Sequence, residues 1–138
     1  MPRFAFDLDA LRDHLPDKLF QRGEGYAAGG RVTVIGQHGG RVAAQIDGES
    51  GRYTVEVSEA DPTDAACSCP AFDDWGLCKH MAALAIAANA LEAPEADAAR
   101  SRLARLEQAL ELEGAEALAA RLIALAKADP EVLAALER

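Results

Sequence analysis

The sequence predicts an α+β fold: an N-terminal helix, a three-stranded antiparallel sheet, a cysteine-containing loop with a following helix, and a C-terminal helical tail. Of the 138 residues, 50% are hydrophobic but only 5% are aromatic, and the surplus of alanine and leucine favours helices packed through small side chains. Three glycine-separated runs have the length of strands, and two of them alternate apolar and polar residues. Three cysteines lie between the last run and the next helix, and a histidine lies at the start of that helix.

The first predicted element is a helical segment over Leu8–Ala28. Its apolar residues recur at the spacing of one helical face: Leu8, Leu11, Leu15 and Leu19. Either Asp7 or Asp9 is a suitable N-cap. Proline removes a helical hydrogen bond and crowds the preceding turn, so we predict two helical pieces, with Pro16 in the first turn of the second. A Gly-Gly pair then ends the helix.

The sheet is predicted from the runs Arg31–His38, Arg41–Asp47 and Arg52–Ser58. Apolar residues alternate in the second and third runs: Val42, Ala44 and Ile46, then Tyr53, Val55 and Val57. This period of two is that of a half-buried antiparallel sheet. The glycines between the runs favour tight connections, so we expect a three-stranded meander.

A helix over Lys79–Leu91 should follow the cysteine segment, because no helix breaker occurs before Pro94. Asp61-Pro62 separates this part of the chain from the third strand. Within the helix, Met81, Leu84 and Ala88 are expected to face the sheet as core residues.

The C-terminal tail is predicted to be helical and amphipathic. Leucines recur at helical spacing on either side of a break at Gly114, and Asp129-Pro130 caps a short last helix. We expect residues 1–92 to form the first domain and residues 93–138 a helical hairpin or tail. Its leucine stripe packs on that domain or on its own hairpin, or forms a homodimer or partner surface.

The net charge and the pattern of apolar residues disfavour some classes of protein. The net charge is -9, and residues 59–138 hold 15 acidic but only 7 basic side chains, which disfavours nucleic-acid binding because that affinity depends on Lys and Arg. The acidic N-terminus does not resemble a signal peptide, and the apolar run from Met81 to Leu91 is too short to span a membrane. We therefore expect a cytoplasmic protein without a membrane segment.

The stretch CSCPAFDDWGLCKH points to a metal site. Cys67 and Cys69 are separated by one residue, and eight residues later Cys78 and His80 are again separated by one. Two cysteines so close are poorly placed for a disulfide. Zn²⁺ prefers four tetrahedral ligands, and three thiolates with one imidazole are a familiar structural set. With every position filled by protein, no zinc-bound water is available as a nucleophile, so we expect no enzymatic activity.

The residues between the ligands are expected to shape this zinc-binding loop. Pro70 and Gly76 allow the loop to turn back on itself. Phe72 and Trp75 either shield the metal from water or contact a partner. Lys79 is placed to offset the net negative charge of a zinc ion with three thiolates.

The segment resembles the SWIM zinc-finger family. It has the order CxC, eight residues and CxH, followed at once by an apolar helix. The segment FQRGEGYAAGGRV is similar to the region upstream of the finger in small bacterial members, so the resemblance extends from Phe20 to Asn89. It implies metal binding by the same cysteines and histidine and no catalytic residue. In this family the finger is proposed to bind DNA or proteins, within chromatin-remodelling ATPases, transposases and small bacterial proteins.

Two functions remain open at this point. One is a protein-interaction module, an accessory subunit with an as yet unidentified partner. The other is DNA or RNA binding through basic residues of the N-terminal half: Arg22, Arg31, Arg41 and Arg52. In a meander, Arg31 and Arg52 lie at one end of the sheet and Arg41 at the other, which argues against a continuous patch. A redox switch is disfavoured because zinc-bound thiolates are unreactive, and neither His14 nor His38 has a neighbour that suggests catalysis.

Overall fold

The computed structural model describes residues 3–138, which form two compact units: one that ends at Ala104 and one over Arg105–Arg138. The first contains helices α1 (Leu8–His14), α2 (Asp17–Ala28), α3 (Pro70–Trp75) and α4 (Lys79–Ala90) and the sheet. Helix α5 (Ala93–Glu111) runs from the first unit into the second, which also holds α6 (Ala115–Ala128) and α7 (Pro130–Leu136). The α+β class that the sequence predicted is confirmed.

The sheet has four antiparallel strands in sequence order: β1 (Val32–His38), β2 (Arg41–Asp47), β3 (Arg52–Ser58) and β4 (Ala65–Cys67). The predicted three-stranded meander is therefore correct for β1 to β3 but misses β4. That strand is three residues long and too short to show alternation; it exists because it pairs with β3, with Cys67 opposite Val55.

Alternation along the strands produces the core as predicted. Val42, Ala44 and Ile46 of β2 and Val55 and Val57 of β3 are all fully buried. The β1–β2 hairpin turns at Gly39-Gly40, whose φ angles of 61° and 80° match the left-handed backbone of a two-residue turn.

The helix is interrupted at Pro16 as predicted, but Pro16 lies one position earlier relative to the second helix than expected. Helix α1 is capped by the Asp7 side chain, which accepts a hydrogen bond from the Ala10 N–H. Pro16 has φ -54° and ψ 144°, so it is the N-cap of α2 and precedes its first turn. The missing N–H is harmless at either position, because the first helical N–H groups have no intrahelical partner.

Helix α4 is the centre of the first unit. Met81, Leu84 and Ala88 are fully buried, as predicted, and so are Ala82, Ala83 and Ala85. The helix packs against α2 and against the sheet, chiefly β3. Its alanines let α2 approach closely at Gly23, where an added Cβ would lie 2.6 Å from the Ala82 Cβ and 2.7 Å from the Lys79 carbonyl oxygen.

The first part of α5 closes over β1. Ala96 and Ala99 are buried, and an irregularity in β1 at Ile35 brings Gly36 so close that its Cβ would lie 2.9 Å from the Ala99 carbonyl oxygen. Arg102 donates to the Ile35 carbonyl. These contacts explain why the first unit extends to Ala104, whereas the sequence analysis placed its boundary after residue 92.

An ion pair ties the start of the described chain to the same helix. Arg100 and Glu59 lie 3.1 Å apart, with side-chain exposures of only 10% and 25%. Arg100 also covers the Phe4 ring, and Glu59 accepts the Ala5 N–H. Burial raises the pKa of Glu59, but hydrogen bonds from Arg100 and Ala5 outweigh it, and the net pKa lies below the ordinary 4.5.

The second unit is small, and large apolar side chains remain exposed on it. Helix α7 begins with Pro130 after Asp129, whose carboxylate accepts the Glu131 N–H, as the sequence predicted. Arg121 and Glu113 form an ion pair of 2.7 Å. Leu112, Ile123, Leu125 and Leu133 are 46% to 89% exposed. Within residues 3–138, no helix has both the length and the apolar character needed to cross a bilayer.

Candidate metal centre

Three elements, β4, α3 and α4, bring the predicted zinc ligands to one place. Cys67 ends β4, and Cys69 is the N-cap of α3. Cys78 is the N-cap of α4, and His80 is in its first turn. The backbone around Ser68 is fixed on β3, since its N–H donates to the Thr54 carbonyl and its hydroxyl accepts the Thr54 N–H.

The ligand atoms lie close enough together to bind one zinc ion. One donor atom from each of Cys67, Cys69, Cys78 and His80 lies within 4.8 Å of all the others. The Cys67 Sγ is 3.6 Å from the His80 Nδ1, while zinc bonds of about 2.3 Å to sulfur and about 2.0–2.1 Å to nitrogen place two tetrahedral ligands roughly 3.6 Å apart. The geometry therefore assigns Nδ1 as the ligand nitrogen.

All four ligand residues are buried, and the pKa shifts of the three thiols suit a site that binds a cation. The pKa of Cys78 is lowered to about 4, chiefly by the hydrogen bond from Cys67. That same hydrogen bond, together with burial, raises the pKa of Cys67, and burial raises that of Cys69. The cluster thus holds one sulfur readily as thiolate, and a divalent cation is what stabilises the other two in that form.

The His80 ring is held by aromatic contacts that the sequence analysis did not identify. Tyr26 of α2 stacks on it at 5.6 Å between centroids, and Tyr53 of β3 contacts it at 5.2 Å. These are both tyrosines of the chain. The His80 Nε2 is buried and lacks a hydrogen-bond partner among the described residues, and with Nδ1 on zinc it is the protonated nitrogen. The only sequence feature that could have drawn attention to these two residues is that tyrosine is rare in the chain.

The loop between the ligand pairs contains a helix and a left-handed turn. Gly76, at φ 72°, ends α3 and turns the chain back toward Cys78, as predicted. Phe72 is half-buried and packs against the core. Trp75 is 75% exposed, so the shielding interpretation is wrong for Trp75: α3 ends there, and the indole projects from the loop into solvent.

Lys79 and the four predicted arginines are distributed around the first unit. The Lys79 Nζ lies 5.0 Å from the Tyr26 ring centre, and Arg31 covers the same ring. Arg52 pairs with Asp47 at 3.1 Å, and Arg41 pairs with Asp64 and Glu56 at the other end of the sheet. Arg22 forms no ion pair with the described residues. The structure therefore does not bring the four arginines into one patch.

Comparisons with known proteins agree with the site. Residues 53–89, which cover β3, β4, α3 and α4, match the family model described as SWIM zinc finger. Comparison with curated proteins and with solved structures gave no match. The matched segment contains all four zinc ligands and Tyr53, so the chain carries a SWIM zinc finger with Cys67, Cys69, Cys78 and His80 as its Zn²⁺-binding cluster.

Proposed function

We propose that this chain is a protein-interaction module, an accessory subunit whose zinc ion fixes the loop that contacts the partner. The observation that carries the proposal is the 75% exposure of Trp75 on a loop anchored by metal ligands at both ends. Tryptophan is among the residues most enriched in binding hot spots. Holding it rigidly on a zinc loop lowers the entropy that association costs.

The charge around Trp75 supports a protein partner. Asp73 and Asp74 precede it, and neither forms an ion pair with the described part of the chain. Together with the net charge of -9, these carboxylates favour a partner with basic residues around an apolar pocket, and they disfavour a phosphate backbone.

The proposal treats the metal as structural and the protein as a non-enzyme. Four protein ligands complete the shell of a zinc ion, whereas catalytic zinc keeps a position for water. Metal-holding cysteines without disulfides suit a reducing compartment, and a cytoplasmic location is part of the same proposal.

Nucleic-acid binding is the second candidate, and it receives less support. Of the four arginines considered for it, Arg41 and Arg52 are neutralised by carboxylates. Arg22, Arg31 and Lys79 remain next to Tyr26, and proteins that bind single-stranded nucleic acids use such combinations of cations and aromatic rings. Titration with DNA and RNA at several salt concentrations distinguishes the two functions, since phosphate contacts give a steep salt dependence.

Trp75→Ala is the direct test of the proposed function. The zinc-loaded variant and wild type are used as baits for proteins of the source cells, before and after zinc removal by a chelator. We expect a captured protein to be lost with Trp75→Ala and with chelation. Leu112→Ala, which removes an even more exposed apolar side chain from the connection between α5 and α6, is the control. Equal capture by Trp75→Ala and wild type contradicts the proposal.

The exposed leucines of α6 and α7 are a further contact surface in this proposal. The sequence left a homodimer through the C-terminal helices open, and Leu125 of α6 and Leu133 of α7 are side chains available to it. Leu133→Asp places a charge on that surface. If the helices mediate self-association, this variant sediments as a monomer under conditions in which wild type is a dimer.

A further inference from the structure

A cleft that opens onto the metal centre has the dimensions of a site for one large side chain. It has a volume of about 250 Å³ and is lined by the zinc ligands Cys69, Cys78 and His80. Its other walls include Leu19, Arg22, Tyr26, Tyr53, Pro70 and Ala71. Small-molecule pockets usually measure roughly 300–1,000 Å³, so this cleft lies just below their range. A single aromatic side chain fills such a space better than a metabolite does.

Two cations lie on the wall of the cleft. Arg22 has no ion-pair partner among residues 3–138, and Lys79 lies with its Nζ 5.0 Å from the Tyr26 ring centre. The anionic groups of the lining are Glu49 and the zinc-binding sulfurs of Cys69 and Cys78. Two cations beside an aromatic wall form a surface that attracts an indole ring with carboxylates next to it.

The molecule itself carries a group with that chemistry. Trp75 is 75% exposed and does not line the cleft of its own chain. It follows Asp73 and Asp74, whose charges are opposite to those of Arg22 and Lys79. Ala71, on the cleft wall, and Trp75 belong to the same short helix and are separated along its axis by about 6 Å.

We propose that Trp75 of one copy inserts into this cleft of a second copy, with Asp73 and Asp74 facing Arg22 and Lys79. This inference rests on the proposed function and names its partner as a second copy of this chain. Because the projecting group and the cleft are neighbours, a twofold axis between two fingers forms the same contact twice, which is the usual symmetry of a homodimer. Zinc supports both sides of the contact by fixing α3.

The test uses the full-length, zinc-loaded protein and its only tryptophan as a reporter. Sedimentation equilibrium over a range of concentrations should give a monomer–dimer equilibrium, and Trp75 emission should shift to the blue as the dimer forms. Trp75→Ala should raise the dimer dissociation constant at least tenfold. Leu112→Ala truncates an exposed apolar side chain in the connection between α5 and α6 and should leave the dissociation constant within twofold of wild type.

A charge exchange tests the orientation. Arg22→Glu should weaken the dimer, and the double variant Arg22→Glu/Asp74→Arg should restore it, since the pair is then reversed in sign. A variant that merely misfolds gives no such rescue, and zinc content measured for each variant verifies the finger.

Three results would overturn the inference: wild type that stays monomeric at the highest concentration, Trp75→Ala that still dimerises, or a double variant without rescue. Dissociation by Leu133→Asp but not by Trp75→Ala would assign association to the C-terminal helices. If wild type is monomeric but Trp75→Ala loses a captured protein, the inference fails while the proposed function stands.

Discussion

At Gly23, α2 lies in close contact with α4, and Gly23→Ala measures how much this packing contributes to the stability of the finger. A Cβ at this position would lie 2.6 Å from the Ala82 Cβ, 2.7 Å from the Lys79 carbonyl oxygen and 2.9 Å from the Ala83 nitrogen. Two of the three atoms belong to the backbone of α4 and cannot rotate away. The helices must therefore separate, and overpacking of this kind costs about 1–3 kcal/mol.

Gly25 provides the matched control on the same helix. A Cβ there meets no atom within 4 Å, so Gly25→Ala gains helix propensity without a clash and should be more stable than wild type by about 0.4–1 kcal/mol. Both variants carry the same propensity gain. The free energy of unfolding of Gly23→Ala should therefore lie about 1–3 kcal/mol below that of Gly25→Ala.

Urea unfolding of the zinc-loaded proteins measures this difference, and thermal unfolding should show it as roughly 4–8 °C per kcal/mol for a unit of this size. Because α4 begins at Lys79 and includes His80, a shift of the helix should also speed zinc transfer to a chelator. Equal stability of Gly23→Ala and Gly25→Ala would refute the packing argument.

Three further variants test other parts of the structure. Cys78→Ser should lose zinc and unfold the finger, because structural zinc supplies about 10–16 kcal/mol of apparent binding free energy in small zinc-finger peptides; retention of one zinc per chain would contradict the site. Glu59→Gln should lower the free energy of unfolding at pH 7 by about 1.5–3 kcal/mol. Since the folded pKa of Glu59 lies below 4.5, the contribution of this carboxylate is present above pH 4.5 and is lost as the pH falls through the folded value, so urea titrations of variant and wild type should converge in acid. Gly36→Ala should cost about 1–3 kcal/mol by pushing α5 from β1, whereas Gly51→Ala, with open space around it, should not.

The ligands of the metal centre were predictable because their chemistry lies in residue type and spacing. Cysteine and histidine at CxC and CxH positions need no tertiary information to indicate zinc. Strands β2 and β3 were predictable for a similar reason, since apolar and polar residues alternate along them, whereas β1 was predicted from its length and the glycines that bound it. Strand β4 was not, because Ala65–Cys67 has no pattern of its own and is extended through pairing with β3.

Contacts between distant segments were the part that the sequence could not provide. Tyr26 belongs to α2 and Tyr53 to β3, and only the packing of α2 against α4 brings both to His80. The pairing of Arg41 with Asp64 likewise depends on how the chain between β3 and β4 turns. Local periodicity carries no information about such contacts, so the tyrosines received no role at the metal site and Arg41 remained a candidate for nucleic-acid binding.

The structure places tyrosines, and not Trp75, against the metal ligand His80, and this leads to a last prediction. If Tyr53 holds the His80 ring, Tyr53→Leu removes an aromatic contact of about 0.5–1.5 kcal/mol and should transfer zinc to a chelator several-fold faster than wild type. Trp75→Ala should not change that rate, since its indole is 75% exposed. Faster release from Trp75→Ala than from Tyr53→Leu would show that the indole shields the metal in solution, and would remove the basis for assigning Trp75 to a partner.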